Sequence, residues 1–505
     1  MAKPNVVLVT ADALRPDHLG CYGYAKDTSP ALDALAQSAF LFENVWATGP
    51  STPFSFPGLM ASRMPFESTS FGVGGAALTL AELLRAAGYR TQGFHAANPY
   101  ISHYFGYDRG FDQVVDFLEY KPVSDIGFRY LETDERVGSR QKAPGALHGR
   151  VRQGVRRALQ TAPALWRIKK PLAAAWRWAS DRLSYCDHIR IKLELESKFA
   201  PTVLRWVTKN RDEPSFLWVH PMTVHEPYAP PEACQLAVNG RRLPRWRVNK
   251  LRRTVAVPNQ VEAGRIGEQD VEDMVALYDA EIRRLDNFLA RLLAALQEPG
   301  WWTSSIIIVT ADHGEQLFEH GRFFHPSLHY NEVLKVPLII RLPGGQGACR
   351  ISQQVGLIDL MPTLAELLDL ELPEGSCRGK SFASLLSGRG QAWRQSRLYV
   401  SESFCGRNDT FYRVDGRDLR GVARRISFQN LSVKLLVDCS TGKCQAFDLR
   451  KDPAEENDLA PARPELAQIA KRLARLHIRS CERVRVRRAF PCAPMPTESS
   501  EVAPQ

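Results

Sequence analysis

Two stretches of the chain are apolar without alternation: Val6 to Val9 and Ile306 to Val309. A short unbroken run of β-branched residues predicts a strand covered on both faces. Each run ends in the same four residues, Val9-Thr10-Ala11-Asp12 and Val309-Thr310-Ala311-Asp312, so each strand is predicted to deliver an aspartate at its carboxyl end. Thr91 to His95, Phe216 to Val219 and Val336 to Arg341 read as further buried strands. Between them, Leu32 to Ala39 and Leu78 to Ala87 have short helical patterns, the second ended by Gly88. Val271 to Leu296 carries Met274, Leu277, Tyr278, Ile282, Leu285, Leu289 and Leu292 on one helical face. Asp359 is placed to cap a helix with Pro362 in its first turn. Strands and helices alternating over roughly 380 residues predict an α/β sandwich around a mainly parallel sheet.

Past residue 390 the pattern shortens and alternates, at Leu398 to Val400, Leu431 to Val437 and Gln445 to Leu449, with a helical stretch from Pro464 to Ile478. This predicts a small C-terminal α+β subdomain with an antiparallel sheet. The expected organisation is a catalytic domain over 1–388 with a basic insertion at about 133–257, a subdomain over 389–488, and a Pro/Ser/Glu-rich disordered tail over 489–505.

Charge changes the picture at one place. The net charge is +11, and residues 136–182 alone hold twelve Lys/Arg against one acid, Asp181. The basic character therefore belongs to one segment and not to the fold. That segment also carries Trp166, Trp176 and Trp178. It reads either as a solvated helical cap or as a peripheral contact with an anionic membrane. No nucleic-acid-binding motif accompanies it, so no nucleic acid is expected. No apolar run is long enough to span a bilayer, and Val6 to Val9 meets Asp12 and Arg15 too soon for a secretory signal. The expected location is cytoplasmic, or membrane-peripheral. The cysteines are scattered and are expected to be reduced thiols.

The chemistry-bearing residues gather at predicted strand exits, where open α/β sheets bind ligands. Asp12 follows the first strand, and Asp312 with His313 follows the strand from Ile306. His220 and His225 follow the strand from Phe216, and Asn98 follows the strand from Thr91. Ala47 to Met60 is a Gly/Pro/Ser/Thr-rich loop leading into a helix, where a hydroxyl such as that of Ser51, Thr52 or Ser55 can be ionised near an oxyanion. Helix starts attract anions through their free N–H groups. Carboxylates plus one imidazole suit a hard-to-borderline divalent metal.

In order along the chain, these segments resemble the sulfatase family of the alkaline-phosphatase superfamily. The resemblance rests on Asn5 to Gly23, on Thr310-Ala-Asp312-His313-Gly314-Glu315, on His325 with Val336-Pro337-Leu338, on Asp359-Leu-Met-Pro362-Thr363, and on Phe447-Asp448-Leu449 with Asp452-Pro453 and Glu456-Asn457. Asp12 matches the first of the family's two adjacent aspartates; the second is replaced by Ala13. Asp312 and His313 match its later metal pair, where many sulfatases have Asp-Asn. The family's nucleophile motif, Cys/Ser-x-Pro-Ser-Arg, aligns with Thr52-Pro53-Phe54-Ser55-Phe56. Thr52 thus stands at the nucleophile, cannot become formylglycine as Cys or Ser does, and has lost the motif arginine to Phe56. A threonine there resembles the lipoteichoic-acid synthase and phosphoethanolamine-transferase branches, which act on phosphodiesters. The family's Gly-Lys-Trp-His aligns with His95 to Asn98, and its active-site histidine with His225.

The resemblance implies one divalent metal on Asp12, Thr52, Asp312 and His313, with Mn²⁺, Zn²⁺ or Mg²⁺ favoured over Ca²⁺. It implies Thr52, His225 and His325 as catalytic residues and Asn98 and His220 as substrate-binding ones. His329 is expected behind this shell or on the surface. The expected activity is cleavage of a phosphoester on a small molecule or on a lipid or glycan headgroup. The alternatives are a sulfuric ester hydrolase working without formylglycine and a catalytically silent binding protein on the same fold.

Overall fold

The computed structural model describes residues 3–120 and 189–489, apart from 69–70, 76, 211–212, 256–265, 298–299, 326–327, 346, 388–392, 394–396 and 405–422. The basic stretch 136–182 and most of the expected tail lie outside the described residues.

Among the described residues, fourteen strands follow one another. The first ten are β1 (Asn5–Ala11), β2 (Phe40–Trp46), β3 (Arg90–His95), β4 (Gln113–Val115), β5 (Ser215–His220), β6 (Ser305–Ala311), β7 (Gln316–Leu317), β8 (Phe323–Phe324), β9 (Leu338–Arg341) and β10 (Cys349–Gly356). β7 and β8 pair as a two-stranded ribbon. The other eight form one sheet in the order β10-β2-β9-β6-β1-β5-β3-β4. All neighbours run parallel except β9, which is antiparallel to both β2 and β6. β1 and β6 sit at the centre, and every residue of both is buried. That is why their sequences do not alternate: a strand with helices over both faces has no polar side.

Register fixes what happens at the strand ends. Thr10 pairs with Thr310 and Ala11 with Ala311, so Asp12 and Asp312 follow on neighbouring strands at the same level. On the other side β1 pairs with β5, and β5 with β3, where His220 lies opposite His95. Four adjacent carboxyl ends therefore open at one edge.

Residues 215–220 fall within the expected insertion of about 133–257, yet they form a central strand of the sheet. That stretch is not one continuous insertion; it contains core sheet, followed by the helices Glu232–Asn239 and Arg245–Val255. The long amphipathic helix runs from Glu268 to Gln297 and buries Met274, Leu277, Tyr278, Ile282, Leu285, Leu289 and Leu292. The sequence pattern missed β2, β4 and β10, and β12 (Arg424–Gln429) of the C-terminal sheet. In β2, Glu43 and Asn44 break the apolar run, and β10 is an edge strand with exposed Cys349 and Arg350.

The C-terminal strands β11 (Tyr399–Phe404), β12 (Arg424–Gln429), β13 (Val433–Asp438) and β14 (Cys444–Asp448) form a separate antiparallel sheet in that order. Ile426, Phe428, Leu435 and Val437 bury its inner face against Ala470 and Ala474 of the helix Pro464–Ala489.

Two expectations are corrected. Asp359 does not cap the helix Leu360–Leu367 through its side chain. Its carboxylate instead accepts from the Gly356 and Lys380 N–H groups, from Arg397 Nη1 and from the Tyr399 hydroxyl, tying the end of β10 to the start of β11. His329 is neither exposed nor beside the strand exits. It is fully buried against the C-terminal sheet, its Nδ1 2.9 Å from Ser427 Oγ and its Nε2 2.8 Å from Ser403 Oγ.

Candidate active site

Asp12, Asp312 and His313 are completely buried, and one ligand atom from each lies within 4.8 Å of the others. His313 Nδ1 donates to the Gly314 carbonyl at 2.8 Å. That bond assigns its proton and leaves the Nε2 lone pair facing Asp12 Oδ1 at 3.6 Å and Asp312 Oδ2 at 3.5 Å. Asp312 Oδ1 accepts from the His313 N–H at 2.9 Å and the Ala13 N–H at 3.4 Å. Ala13, where a second acid is lacking, has φ +59°. Tyr278 holds this turn by donating to the Ala13 carbonyl and accepting from the Arg15 N–H.

Thr52 is the first residue of the helix Thr52–Ala61, after the extended Ser51. Pro53 fits the first helical turn, where no N–H is needed. The buried Ser55 hydroxyl donates to the Asp312 carbonyl, which fixes the helix against β6. Thr52 Oγ1 sits 3.5 Å from Asp12 Oδ2, and Asn98 Nδ2 reaches both, at 3.3 and 3.0 Å. His220 lies behind Asp12, with its Nε2 3.4 Å from Oδ2. Trp218 Nε1 donates to Thr10 Oγ1, which bonds His220 Nδ1 at 3.0 Å, so the ring is oriented from the core. Phe56 packs edge-on against His220, Trp218 and Tyr107, filling with apolar surface the place of the motif arginine.

The expected histidines form the rim. His225 and His325 are about one-fifth exposed, and their ring centroids lie 5.0 Å apart. His325 is 4.6 Å from the His313 ring. Each has a carboxylate that the linear pattern did not single out. His225 Nδ1 lies 2.9 Å from Glu226 Oε2 and 2.7 Å from that residue's carbonyl. His325 Nδ1 donates to Glu315 Oε1 at 2.9 Å, while Tyr228 donates to Glu315 Oε2 at 3.0 Å. Glu315 follows Asp312 by three residues and was visible as a motif position; nothing in the sequence pairs it with His325.

The electrostatics divide floor from rim. Burial, joined by the Asp12 charge, pushes the Asp312 carboxyl up to about 8. Burial would also raise Asp12, but the His225, His220 and His313 imidazoles outweigh it and hold that carboxyl well below the usual range. Burial and His325 drive His313 down to about 3, so its imidazole is neutral. Burial opposes the charge on His225 as well, yet Glu226 and Asp12 raise it to about 10. The floor thus offers carboxylate and neutral imidazole, and the rim offers an imidazolium.

Asp12 Oδ1, Asp312 Oδ2 and His313 Nε2 have no hydrogen-bond partner although all three are buried. Unpartnered buried polar atoms are costly, and two carboxyl groups facing one lone pair are costlier. A divalent cation between them removes all three deficits, so the donor set fits a metal.

A mainly parallel sheet with acids, an imidazole and a buried hydroxyl converging at its carboxyl edge is the layout of an α/β enzyme that binds its ligand there. The sulfatase family profile matches residues 4–370, and the chain belongs to that family, within the alkaline-phosphatase superfamily. The profile of the N-sulphoglucosamine sulphohydrolase C-terminal region matches residues 318–481. The chain is 24% identical to an arylsulfatase of Clostridium perfringens over 488 residues, 90% of each chain. It is 32% identical to the multifunctional alkaline phosphatase superfamily protein PehA of Trinickia caryophylli over 206 residues, 39% of this chain and 38% of that protein. Among solved structures, the phosphonate monoester hydrolase of Agrobacterium radiobacter shares the fold with a TM-score of 0.63 at 21% identity, over 95% of this chain and 96% of that one. Among the described residues, no helix is long and apolar enough to cross a membrane.

Proposed function

We propose that this hydrolase cleaves a phosphoester, mono- or diester, with Thr52 as nucleophile. The observation that carries this reading is the Thr52 hydroxyl at a helix start, beside Asp12 and among unpartnered ligand atoms. Asp12, Asp312 and His313, with Thr52 Oγ1, would hold the metal. Bound there, a divalent cation lowers the pKa of a hydroxyl and withdraws charge from a phosphoryl oxygen. Thr52 Oγ1, its proton passed to solvent as the hydroxyl ionises, attacks phosphorus, forming an O–P bond as the bond to the leaving oxygen breaks. His225, charged at neutral pH, gives its proton to that oxygen, with His325 alongside. Asn98 Nδ2 steadies Thr52 and stands ready for an equatorial oxygen, and His220 holds Asp12 in place. Water then releases the product from Thr52; an alcohol would make the same step a transfer.

Threonine supports phosphate over sulfate because it cannot be converted to formylglycine. The second reading, a sulfuric ester hydrolase without formylglycine, has the arylsulfatase match in its favour. The substrate is a small-molecule ester or a lipid or glycan headgroup; for a headgroup, residues 136–182 would supply an anionic-surface contact. Parallel assays of nitrophenyl phosphate, bis-nitrophenyl phosphate and nitrophenyl sulfate test the reading. Turnover of phosphates that T52A abolishes is the expected result. Sulfate turnover alone, or a T52A variant as active as the parent, would reject it.

A further inference from the structure

The loop that carries His225 is poor in its own hydrogen-bond donors. Pro221, Pro227, Pro230 and Pro231 have no N–H, so the stretch after β5 cannot close a ladder or a helix over its carbonyls. Those carbonyls are nonetheless held. Lys192 lies near the start of the described helix 189–209, and its side chain is about 10% exposed. Its Nζ donates to the carbonyls of Thr223 at 2.8 Å, His225 at 2.7 Å and Pro227 at 3.1 Å. An ammonium has three donors, and alternate carbonyls of this one loop share them with the Glu281 carboxylate. Its counter-charge is the buried Glu281 carboxylate at 3.4 Å, which also accepts from the Ala229 N–H at 2.6 Å.

We propose that Lys192 is a positioning residue for His225: it fixes the backbone on which the imidazole is mounted and so sets the angle of proton delivery to the leaving oxygen. The inference rests on His225 acting as the acid. Elsewhere the Asp12 N–H donates to the Pro221 carbonyl, the Thr223 side chain bonds Glu196, the Ala229 N–H donates to Glu281, the Tyr228 hydroxyl donates to Glu315, and Gln235 Nε2 donates to the Pro230 carbonyl. The backbone carbonyls of Thr223, His225 and Pro227 are held by Lys192. Arginine cannot place three hydrogens on one nitrogen, but it keeps a charge and several donors. K192R should therefore restore part of what K192M loses.

The experiment is a double-mutant cycle of K192M with H225Q, using an alkyl phosphodiester, whose leaving oxygen needs a proton, and a nitrophenyl one, whose leaving oxygen does not. A misplaced acid should cost K192M about 10²-fold in kcat on the alkyl ester, little on the nitrophenyl ester, and little in KM. In the H225Q background K192M should cost nothing further, and K192R should recover part of the loss. Limited proteolysis should show K192M cut faster within 221–231. Equal losses on both esters, or full additivity with H225Q, would overturn the proposal. If H225Q itself turns over the alkyl ester like the parent, the catalytic reading of His225 fails. Proteolysis then decides for Lys192: unchanged cutting in K192M would reject its hold on the loop.

Discussion

Two histidines of this protein are equally buried and do opposite things. His329, under the C-terminal sheet, has both ring nitrogens paired with serine hydroxyls. Around it the charges are paired too: Lys434 Nζ is 2.7 Å from Glu455 Oε1 and donates to the His329 carbonyl and Asn331 Oδ1. His313, at the β6 exit, has one nitrogen paired and the other facing two carboxyl oxygens that lack partners of their own. Burial is the same; satisfaction differs. A buried polar cluster whose bonds close is a joint between parts of the fold, whereas one left open is built for something that arrives from outside.

The contrast predicts opposite signs for stability and chemistry. T52A and D312N should each lower phosphoester turnover by at least about 10³-fold, as loss of a residue that acts within a catalytic unit does. D312N should also lose bound metal by mass spectrometry while raising the melting temperature of the metal-free protein, because the cost of burying the Asp312 carboxyl, pushed up to about 8 by burial and the Asp12 charge, is gone. A metal-free D312N that melts below the parent would break the comparison. At the closed cluster, K434M leaves Glu455 charged and unpaired, and should cost about 3–5 kcal/mol in denaturant unfolding with turnover of the folded fraction retained.

E315Q tests the boundary between the two kinds of cluster, since Glu315 is paired yet serves His325. Losing the charge-assisted bond is worth about 1.5–3 kcal/mol, so kcat on an alkyl ester should fall about 10- to 100-fold with folding intact. An unchanged kcat would move His325 out of the proton path.

The smallest effect is a pH dependence. Burial, with Arg425 and Lys434 nearby, holds His329 well below its ordinary value of 6.5. The folded protein keeps this ring neutral while the unfolded chain takes up a proton below about pH 6.5, so its stability contribution is present above that pH and lost as pH falls. The loss approaches about 1.4 kcal/mol per pH unit below 6.5. H329Q should melt lower than the parent at pH 7.5, and the gap should narrow by pH 5.5. A gap that widens on acidification would mean that His329 is charged in the fold.

The sequence was most legible where one cause acts alone. The repeated Val-Thr-Ala-Asp endings exposed both central strands and their aspartates, because a doubly covered strand has only apolar residues to spend and its first polar residue marks the exit. Thr52 was legible through its loop chemistry and motif alignment. β2 was not, because its Glu43 and Asn44 look like a turn until the neighbours that shield them are known. Glu226 and Glu315 were in plain view, but the roles they take depend on which ring each one meets, and loops set that in three dimensions. Lys192 gave no linear signal at all: its partners lie 31 to 35 residues away and are backbone carbonyls, which every residue has.

The in-register pairing of β1 with β6 has a consequence for how such an enzyme can change over time. The two aspartates extend adjacent rungs of one ladder, so the gap between them is inherited from strand spacing, about 4.8 Å, and not from any loop. Insertions, deletions and charge swaps around the opening leave that gap untouched. A lineage can retailor what enters the cleft without recalibrating what waits at the bottom of it.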